Sequence, residues 1–258
     1  MKRIYDTIRL TSVDSTNNEA KKLSESDNLT VITTFGQTAG RGQRGNTWHS
    51  TPGMNLTFSI LVRWGRDGVP AMNAADQFAV SRIVTVALTG FLASKGMETR
   101  IKWPNDIYAG DRKICGILIE NTVCGAGLSS SVIGIGLNIN ETTFPDSIPN
   151  PTSVCLETGV RHGIDSCLEE FLECFDMALS LAENARGLAE LEKTYLDRMY
   201  RKDTPHRYID LTSTATDGKG GREFTGIIRG VAPNACLLVE NEKGELHQFA
   251  FKEIGYII

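Results

Sequence analysis

The sequence predicts an α+β protein that is built on a mixed sheet and followed by a small all-β module. Through residues 1–200, strand-like and helix-like segments follow one another without the regular strand–helix–strand repeat of a doubly wound fold. After "RKDTP" (201–205) the pattern changes to short apolar segments separated by glycine turns. We therefore expect a larger domain over residues 1–200 and a smaller one, here called the terminal module, over residues 203–258.

Short runs of β-branched and apolar residues predict the strands of the larger domain. The run "MNLTFSILV" is a clear example. The predicted strands cover residues 4–10, 29–37, 54–62, 99–103, 113–120 and 130–140. A polar loop that contains prolines follows them over residues 141–152.

Helices are predicted in three places. Ser15 or Thr16 can cap a short helix, and Glu19 stands at capping-box spacing from Thr16. Apolar residues at helical spacing predict a long helix over residues 74–94 and a helical region over residues 165–200.

The terminal module contains four short predicted strands. They cover residues 208–214, 222–231, 235–242 and 246–254. Strands of this length with glycine turns, over about 55 residues, fit the size of an SH3-like barrel.

Composition excludes several classes of protein. Of the 258 residues, 41% are hydrophobic and 22% are charged, which is typical of a packed globular protein. The net charge of −4 gives no general attraction to nucleic acid or to an anionic membrane. The opening "MKRIYDTIRL" lacks the apolar core of a signal peptide, and no apolar run is long enough to span a bilayer. We therefore expect a cytoplasmic protein.

The cysteines indicate neither a disulfide framework nor a zinc site, because they form no CxxC pair. They stand at positions 115, 124, 155, 167, 174 and 236. Most lie in predicted strands or helices, so we expect buried, reduced thiols. Cys115 is interpreted in this way, as a core thiol rather than a catalytic one.

The stretch "GRGQRGNTWHS" (40–50) predicts an anion-binding loop. It matches the pattern G-x-G-x-x-G, but a proline and turn residues follow where a dinucleotide site requires a helix. Glycines let backbone N–H groups approach an oxyanion, and Arg41 and Arg44 add donors that suit carboxylate or phosphate. Trp48 could stack on a purine or close the site. The alternative is a solvated, flexible surface loop.

A second polar cluster lies in "KWPNDIYAGDRKICGILIE" (102–120). The Trp103–Pro104 pair ends a strand and directs Asn105 and Asp106 to one place. Lys113 opens an apolar strand, where it either extends to solvent or faces an anionic ligand. Together with the loop at residues 40–50, the cluster favours ligand contact.

Four motifs in order resemble the biotin–protein ligases. They are "STN" (15–17), "GQTAGRGQRGNTW" (36–48), "KWPNDIYAGDRKICGILIE" (102–120) and "GIGLNIN" (134–140). The resemblance implies an α+β catalytic domain shared with lipoate ligases, followed by an SH3-like barrel. It also implies an enzyme that joins biotin and ATP into biotinyl-5′-AMP and passes biotin to a lysine of a biotin carboxyl carrier domain.

The same resemblance implies roles for individual residues, with ATP and Mg²⁺ as cofactors and no metal ligand from the protein itself. Lys113 and Arg41 are the implied catalytic residues. The implied biotin-binding residues are Ser15, Thr16, Asn17, Gln37, Arg41, Gly42, Gln43, Lys113, Gly116 and Ile117. The implied nucleotide-binding residues are Arg44, Asn46, Trp48, Lys102, Asn105, Asp106 and Asn138. Two of these have simpler explanations, since Thr16 could only cap a helix and Asn138 could only end a strand.

The sequence departs from the family pattern in two ways. Long members begin with a helix-turn-helix domain, whereas the first catalytic strand is predicted here at residue 4, so we expect no sequence-specific DNA binding. The short, monofunctional form of the ligase is therefore the expectation. Gln43 and Asn46 stand where arginine is frequent in the family, which predicts a weaker hold on the adenylate.

Two other functions stay open. A lipoate or octanoate ligase would lack "KWPND" and would need a long apolar tunnel. A non-enzymatic sensor of biotin or its adenylate would not need Lys113. An exposed sheet edge could also pair in a homodimer.

Overall fold

The computed structural model describes residues 3–213 and 221–258, without the side chain of Arg44. Its larger sheet has seven strands, in the spatial order β1-β2-β3-β7-β6-β5-β4. They are β1 Asp6–Val13, β2 Thr30–Gln37, β3 Leu56–Arg63, β4 Arg100–Lys102, β5 Asp106–Ala109, β6 Arg112–Cys124 and β7 Gly127–Leu137. The pair β1–β2 is parallel and the other pairs are antiparallel. The predicted mixed sheet is confirmed.

Five α-helices accompany this sheet in the described part of the chain. They are α1 Thr16–Ala20, α2 Phe78–Ser94, α3 Val154–Thr158, α4 Ile164–Leu181 and α5 Ala185–Asp197. The three long helices, α2, α4 and α5, pack on one another. Phe58 of β3 meets Phe171 of α4 with ring centroids 5.3 Å apart, so the main core lies between these helices and the sheet.

The two faces of β3 explain where the site lies. Successive side chains of a strand point to opposite faces. Phe58 therefore faces the helices, whereas Ser59 faces α1 and contacts Thr16 and Asn17. The short helix α1 and the polar side chains around it thus occupy the face of the sheet opposite the main core.

The terminal module contains a separate antiparallel sheet, in the order β11-β10-β9-β8-β12. Its strands are β8 Pro205–Asp210, β9 Arg222–Val231, β10 Leu237–Asn241, β11 Leu246–Phe249 and β12 Ile254–Tyr256. Five short antiparallel strands are consistent with the predicted SH3-like module. Trp103 Nε1 donates to the carbonyl of Ala235 at 3.1 Å, which joins the larger domain to the module. In the connection between them, Arg201 donates to the carbonyl of Ile257 at 2.8 Å.

Several predicted elements need correction. The capping box is wrong: Ser15 is the extended residue before α1, but its side chain makes no capping hydrogen bond, and Glu19 pairs with Lys22 instead. The helical region over residues 165–200 is two helices, and the segment over residues 246–254 is two strands. The first strand runs over Asp6–Val13 rather than over residues 4–10.

Among the described strands and α-helices, β5 and α3 were not predicted at all; they have four and five residues. Both are too short for a hydrophobic period to show in the sequence. The strand β5 depends on its neighbouring strands. The helix α3 depends on its N-cap residue Ser153, whose side chain accepts from the N–H of Leu156.

No helix among residues 3–213 and 221–258 is long and apolar enough to cross a membrane. The six cysteines are free. Cys115 and Cys167 are buried as expected, but Cys124 is exposed, which contradicts burial as a general rule for these thiols. Burial raises the pKa of the Cys115 thiol, with a smaller contribution from Asp106, so the thiolate is disfavoured there.

Candidate active site

One large cavity opens on the face of the sheet that carries α1, with a volume of about 870 Å³. Residues of the 40–50 loop, of β6 and β7, of the 141–152 loop and of the terminal module line it. The volume lies in the upper part of the range of small-molecule pockets, roughly 300–1,000 Å³. It is therefore large enough for two substrates bound side by side.

The cavity gathers almost every residue that the sequence singles out. These are Ser15, Thr16, Asn17, Gln37, Arg41, Gly42, Gln43, Asn46, Trp48, Lys102, Asn105, Asp106, Lys113, Gly116, Ile117 and Asn138. The side chain of Arg44 lies outside what the structure describes. Their placement in one cavity is a finding, whereas the role of each stays a prediction.

A buried network of neutral polar groups forms one end of the cavity. The N–H of Thr16 donates to Gln37 Oε1 at 2.8 Å. Ser59 Oγ lies 2.7 Å from Thr16 Oγ1 and 2.6 Å from Asn17 Oδ1. Thr16 and Asn17 are each 3% exposed and Ser59 is not exposed. Such fixed donors and acceptors suit a neutral polar ring better than a hydrocarbon chain.

Three glycines make room for the side chains around this network. A Cβ atom at position 134 would lie 2.1 Å from Asn17 Oδ1. Gly116 and Gly136 are paired across β6 and β7, and Cβ atoms there would lie 2.8 and 2.2 Å from the indole of Trp48. Trp48 therefore packs against the sheet at these two glycines, and its Nε1 is buried without a described partner.

The 40–50 loop is held by hydrogen bonds at both ends. The N–H of Trp48 donates to the carbonyl of Gly40 at 2.9 Å, and the N–H of Gly42 donates to the carbonyl of Asn46 at 2.6 Å. Gln43 Nε2 donates to Asn105 Oδ1 at 2.9 Å, which ties the loop to the turn between β4 and β5. The loop is therefore more than a solvated surface segment.

Glu120 joins the loop to the buried network. Its carboxylate accepts from Asn17 at 2.8 Å and from Lys21 at 2.6 Å, and it pairs with Arg41 at 3.1 Å. Burial raises the pKa of Glu120, but the hydrogen bonds from Lys21 and Asn17 and the charges of Lys21 and Arg41 outweigh it, so the pKa lies below its ordinary value of 4.5. Glu120 is thus held ionised beside the predicted site.

This ionised form predicts a pH-dependent stability. Because the folded pKa of Glu120 is depressed, its stabilisation is present above the ordinary value of 4.5 and is lost as pH falls through the folded value. Glu120→Gln cannot ionise, so it should be less stable than wild type at pH 7 by about 1 kcal/mol or less for such a partly screened pair. The free energy of unfolding of both proteins is measured with urea from pH 7 to pH 3, and the difference between them should disappear as the pH falls. A difference that stays constant would contradict an ionised Glu120.

Lys113 and Asp106 form an ion pair inside the cavity, with Lys113 Nζ 2.7 Å from Asp106 Oδ2. The ammonium also lies 5.9 Å from the centre of the Trp48 ring. Lys113 thus lines the cavity with a local partner, and its contact with a ligand stays a prediction. Asn105, which directly precedes Asp106, is fixed by a hydrogen bond from its side chain to the carbonyl of Ile117 at 2.9 Å.

Asn138 directly follows β7 and lines the cavity. Its Nδ2 donates to the carbonyl of Thr152 at 2.9 Å. Its Oδ1 is buried and has no described partner. A buried acceptor without a donor is costly, and a contact between Asn138 and a nucleotide stays a prediction.

Some residues that take part in these contacts were not singled out from the sequence. Among them are Ser59, Glu120, Gly134 and Gly136, and a sequence signal existed for each of these four. Ser59 is one of two hydroxyl residues in the apolar strand β3, and Glu120 closes the motif "RKICGILIE". Both glycines lie in "GIGLNIN", from which only Asn138 was selected.

The chain is similar to known proteins in sequence. The model of the biotin/lipoate A/B protein ligase family matches residues 7–138. A biotin--[acetyl-CoA-carboxylase] ligase of Paracoccus denitrificans is 30% identical over 245 residues, which cover 91% of this chain and 94% of that relative. The bifunctional ligase/repressor BirA of Escherichia coli (strain K12) is 30% identical over 209 residues, or 80% of this chain. The aligned residues are 60% of the length of that relative.

The fold is also found among solved structures. A biotin protein ligase from Aquifex aeolicus, solved in complex with biotin and ATP, matches with a TM-score of 0.75 over 98% of both chains, at 22% identity. The family match over residues 7–138 contains the buried polar network, the 40–50 loop and the Lys113–Asp106 pair. Through this match and the likeness to the Paracoccus relative, the chain belongs to the biotin/lipoate A/B protein ligase family.

Proposed function

We propose that this protein is an ATP-dependent biotin–protein ligase. It activates biotin as biotinyl-5′-AMP and then transfers biotin to one lysine of a biotin carboxyl carrier domain. The observation that carries the proposal is a single cavity that joins a neutral buried polar network at one end to the cations Arg41 and Lys113. The names of the Paracoccus and Aquifex relatives support the choice of biotin as substrate.

The neutral network would bind the ureido ring of biotin. Thr16, Asn17 and Ser59 provide hydroxyl and amide groups that are fixed by each other and by Gln37. A lipoate or octanoate ligase would need an apolar tunnel at this end instead. The polar end of the cavity therefore favours biotin over the second candidate substrate.

Lys113 and Arg41 would act on the reacting groups. In the first step, an oxygen of the biotin carboxylate attacks the α-phosphorus of ATP, and the bond from that phosphorus to the bridging oxygen of pyrophosphate breaks. Two anions meet in this step, and a fixed ammonium lowers the repulsion and stabilises the charge of the transition state. In the second step, the amine of the carrier lysine attacks the acyl carbon, and AMP leaves with the electrons of the broken C–O bond.

The nucleotide would lie at the Trp48 and Asn138 end. The Trp48 indole can pack on the face of a purine, and Asn138 lies in the wall of the same cavity. Among the described residues, no cluster of three acidic, histidine or cysteine side chains could hold a metal. Mg²⁺ would arrive with ATP and be held mainly by phosphate oxygens, its usual mode in such sites. It would neutralise charge on the leaving group.

The test of the proposed function is mass spectrometry of a biotin carboxyl carrier domain incubated with the protein, biotin and Mg-ATP. The expected result is the mass of one added biotin on one lysine. Lipoate in place of biotin should give no product. Pyrophosphate release without carrier separates an enzyme from a biotin sensor, which would bind but release none. A folded, ATP-binding protein that modifies no carrier domain would overturn the proposal.

Gln43 predicts how long the adenylate is retained. The side chain is neutral and is tied to Asn105, so it adds no charge to the hold on the adenylate. Gln43→Arg should slow release of biotinyl-AMP by about tenfold, the effect of one charge-assisted contact. The measurement is the rate at which radiolabelled adenylate leaves the protein on rapid filtration. Gln43→Met, of similar length and without charge, is the control and should release no more slowly than wild type. Equal rates for Gln43→Arg and wild type would contradict the prediction.

A further inference from the structure

Glu120 lies behind the wall of the cavity. Leu118 of β6 lines the cavity, and Glu120 follows it by two residues, outside the lining and partly buried. The two oxygens of its carboxylate have different main partners. Lys21 and Arg41 donate to Oε1 at 2.6 and 3.1 Å, whereas Asn17 Nδ2 donates to Oε2 at 2.8 Å. A second nitrogen of Arg41 lies farther from Oε2, at 3.5 Å. The strongest contact of Oε2 is therefore with the predicted biotin network.

The carboxylate decides which way the Asn17 amide points. An ionised carboxylate has acceptor oxygens and no proton to donate, so it bonds to the amide nitrogen of Asn17 and not to the amide oxygen. Asn17 Oδ1 consequently points the other way, where it lies 2.6 Å from Ser59 Oγ. Asn17 is 3% exposed and Ser59 is not exposed, so little water is available to replace either contact.

The hydroxyl groups beyond Asn17 have too few protons for their acceptors. Ser59 Oγ lies 2.6 Å from Asn17 Oδ1 and 2.7 Å from Thr16 Oγ1, but a hydroxyl carries one proton. The Thr16 hydroxyl donates its own proton to Gln37 Oε1, at 3.3 Å. Asn17 Oδ1 and Thr16 Oγ1 therefore compete for the single proton of Ser59. One of these two oxygens is always left as an acceptor for a ligand.

The opposite orientation of Asn17 would remove this surplus acceptor. If the amide turned over, its nitrogen would donate to Ser59 Oγ, and the Ser59 proton would pass to the bond with Thr16 Oγ1. Each hydroxyl oxygen would then have a donor. The turn would also set Asn17 Oδ1 against the Glu120 carboxylate, with no proton between the two acceptors. The orientation that Glu120 enforces is thus the one that suits a ring with N–H groups, because a buried N–H without an acceptor is costly.

We infer that Glu120 is a positioning residue that fixes the Asn17 amide, so that the network offers an acceptor to the N–H groups of the ureido ring. The inference rests on the proposed function, which supplies the ring. It assigns part of the selectivity for biotin to a residue that does not touch biotin. Glu120→Gln removes the constraint, because a glutamine amide can donate as well as accept, and Asn17 is then free to turn.

The test is calorimetric titration with biotinol, the alcohol analogue of biotin that keeps the ureido ring and lacks the carboxylate. Glu120→Gln should bind it about tenfold more weakly than wild type, as expected for one buried polar group left unpaired. A second probe is the biotinol analogue in which ring oxygens replace both N–H groups. Wild type should prefer biotinol to this probe, and Glu120→Gln should reduce the preference by about the same factor of ten. A general structural defect would weaken both probes equally, and that result would overturn the inference.

Lys21→Ala is the matched control. It removes a donor to Oε1 and leaves Asn17 bonded to Oε2. Its affinity for biotinol and its preference between the probes should resemble those of wild type, and a loss equal to that of Glu120→Gln would refute the role of Asn17. In an Asn17→Ala background, Glu120→Gln should have little further effect on biotinol affinity, because the group through which it acts is absent.

The choice of biotinol also separates Asn17 from Arg41. Glu120→Gln deprives Arg41 of a counter-ion, and Arg41 is proposed to act on the biotin carboxylate. An effect through Arg41 would weaken biotin and leave biotinol unchanged, which would overturn the inference.

The outcome for Glu120 is distinguishable from the outcome for the proposed function. A wild type that binds biotin and forms no biotinyl-AMP would contradict the proposed function, while the titrations would still test Glu120. A wild type that biotinylates the carrier domain, with an unchanged preference in Glu120→Gln, would refute the inference and leave the proposed function intact.

Discussion

Replacing Lys113 by alanine should slow the formation of biotinyl-AMP by at least about 100-fold, as is typical when a fixed electrostatic contact to the transition state is lost. Lys113 Nζ lies in the cavity, 2.7 Å from Asp106, where a carboxylate and a phosphate would meet. The measurement is single-turnover release of pyrophosphate from biotin and Mg-ATP. The melting temperature should change little, because the ion pair is partly open to solvent.

The adjacent Arg112 provides a matched control. It is exposed and pairs with Glu157 at 2.9 Å, away from the cavity lining. Arg112→Ala should keep the rate of adenylate formation. If Lys113→Ala formed biotinyl-AMP at the rate of Arg112→Ala, then Lys113 would be a surface lysine with a local partner and not a catalytic residue.

The second large effect is expected for Gly134→Ala. A methyl group there would lie 2.1 Å from Asn17 Oδ1, so the amide must leave its place between Ser59 and Glu120. Overpacking of this kind costs typically about 1–3 kcal/mol of stability. Because the displaced group belongs to the predicted biotin network, biotin affinity measured by calorimetry should fall by up to about 100-fold, which corresponds to roughly 1–3 kcal/mol for a buried polar group left unpaired.

A double-mutant cycle separates the steric cause from other effects. In an Asn17→Ala background the clash is absent, so the additional loss from Gly134→Ala should be much smaller than in wild type. Gly90→Ala in α2 is the control, because no atom lies within 4 Å of the added Cβ. It should leave biotin affinity unchanged and stabilise the helix by roughly 0.5–1 kcal/mol. If Gly134→Ala lowered biotin affinity equally in the wild-type and Asn17→Ala backgrounds, the proposed clash with Asn17 would be contradicted.

Local motifs made much of the site predictable. Lys113, Asp106 and Asn105 lie within one short segment, and the turn at Trp103–Pro104 is visible in the sequence. The cavity brings them together with the 40–50 loop as expected. The fold class followed from the irregular alternation of strands and helices and from the change of pattern after residue 200.

The missed features depend on contacts that are distant in sequence. Ser59 faces Gly134 across β3 and β7, and no local pattern encodes that register. The capping box at α1 fails for a related reason, because the N–H of Thr16 donates to Gln37 rather than to a local cap. Long-range partners override local preference at these positions.

The pairing of β3 with β7 has a consequence for the order in which the protein acquires its binding site. Ser59 and Gly134 become neighbours only when strands that are far apart in the chain have joined, and such non-local pairings form slowly. The helices α2 and α4 can form earlier from local contacts. During refolding from urea, recovery of helical circular dichroism should therefore precede recovery of biotin binding, and a chain still being synthesised cannot hold biotin before β7 has emerged.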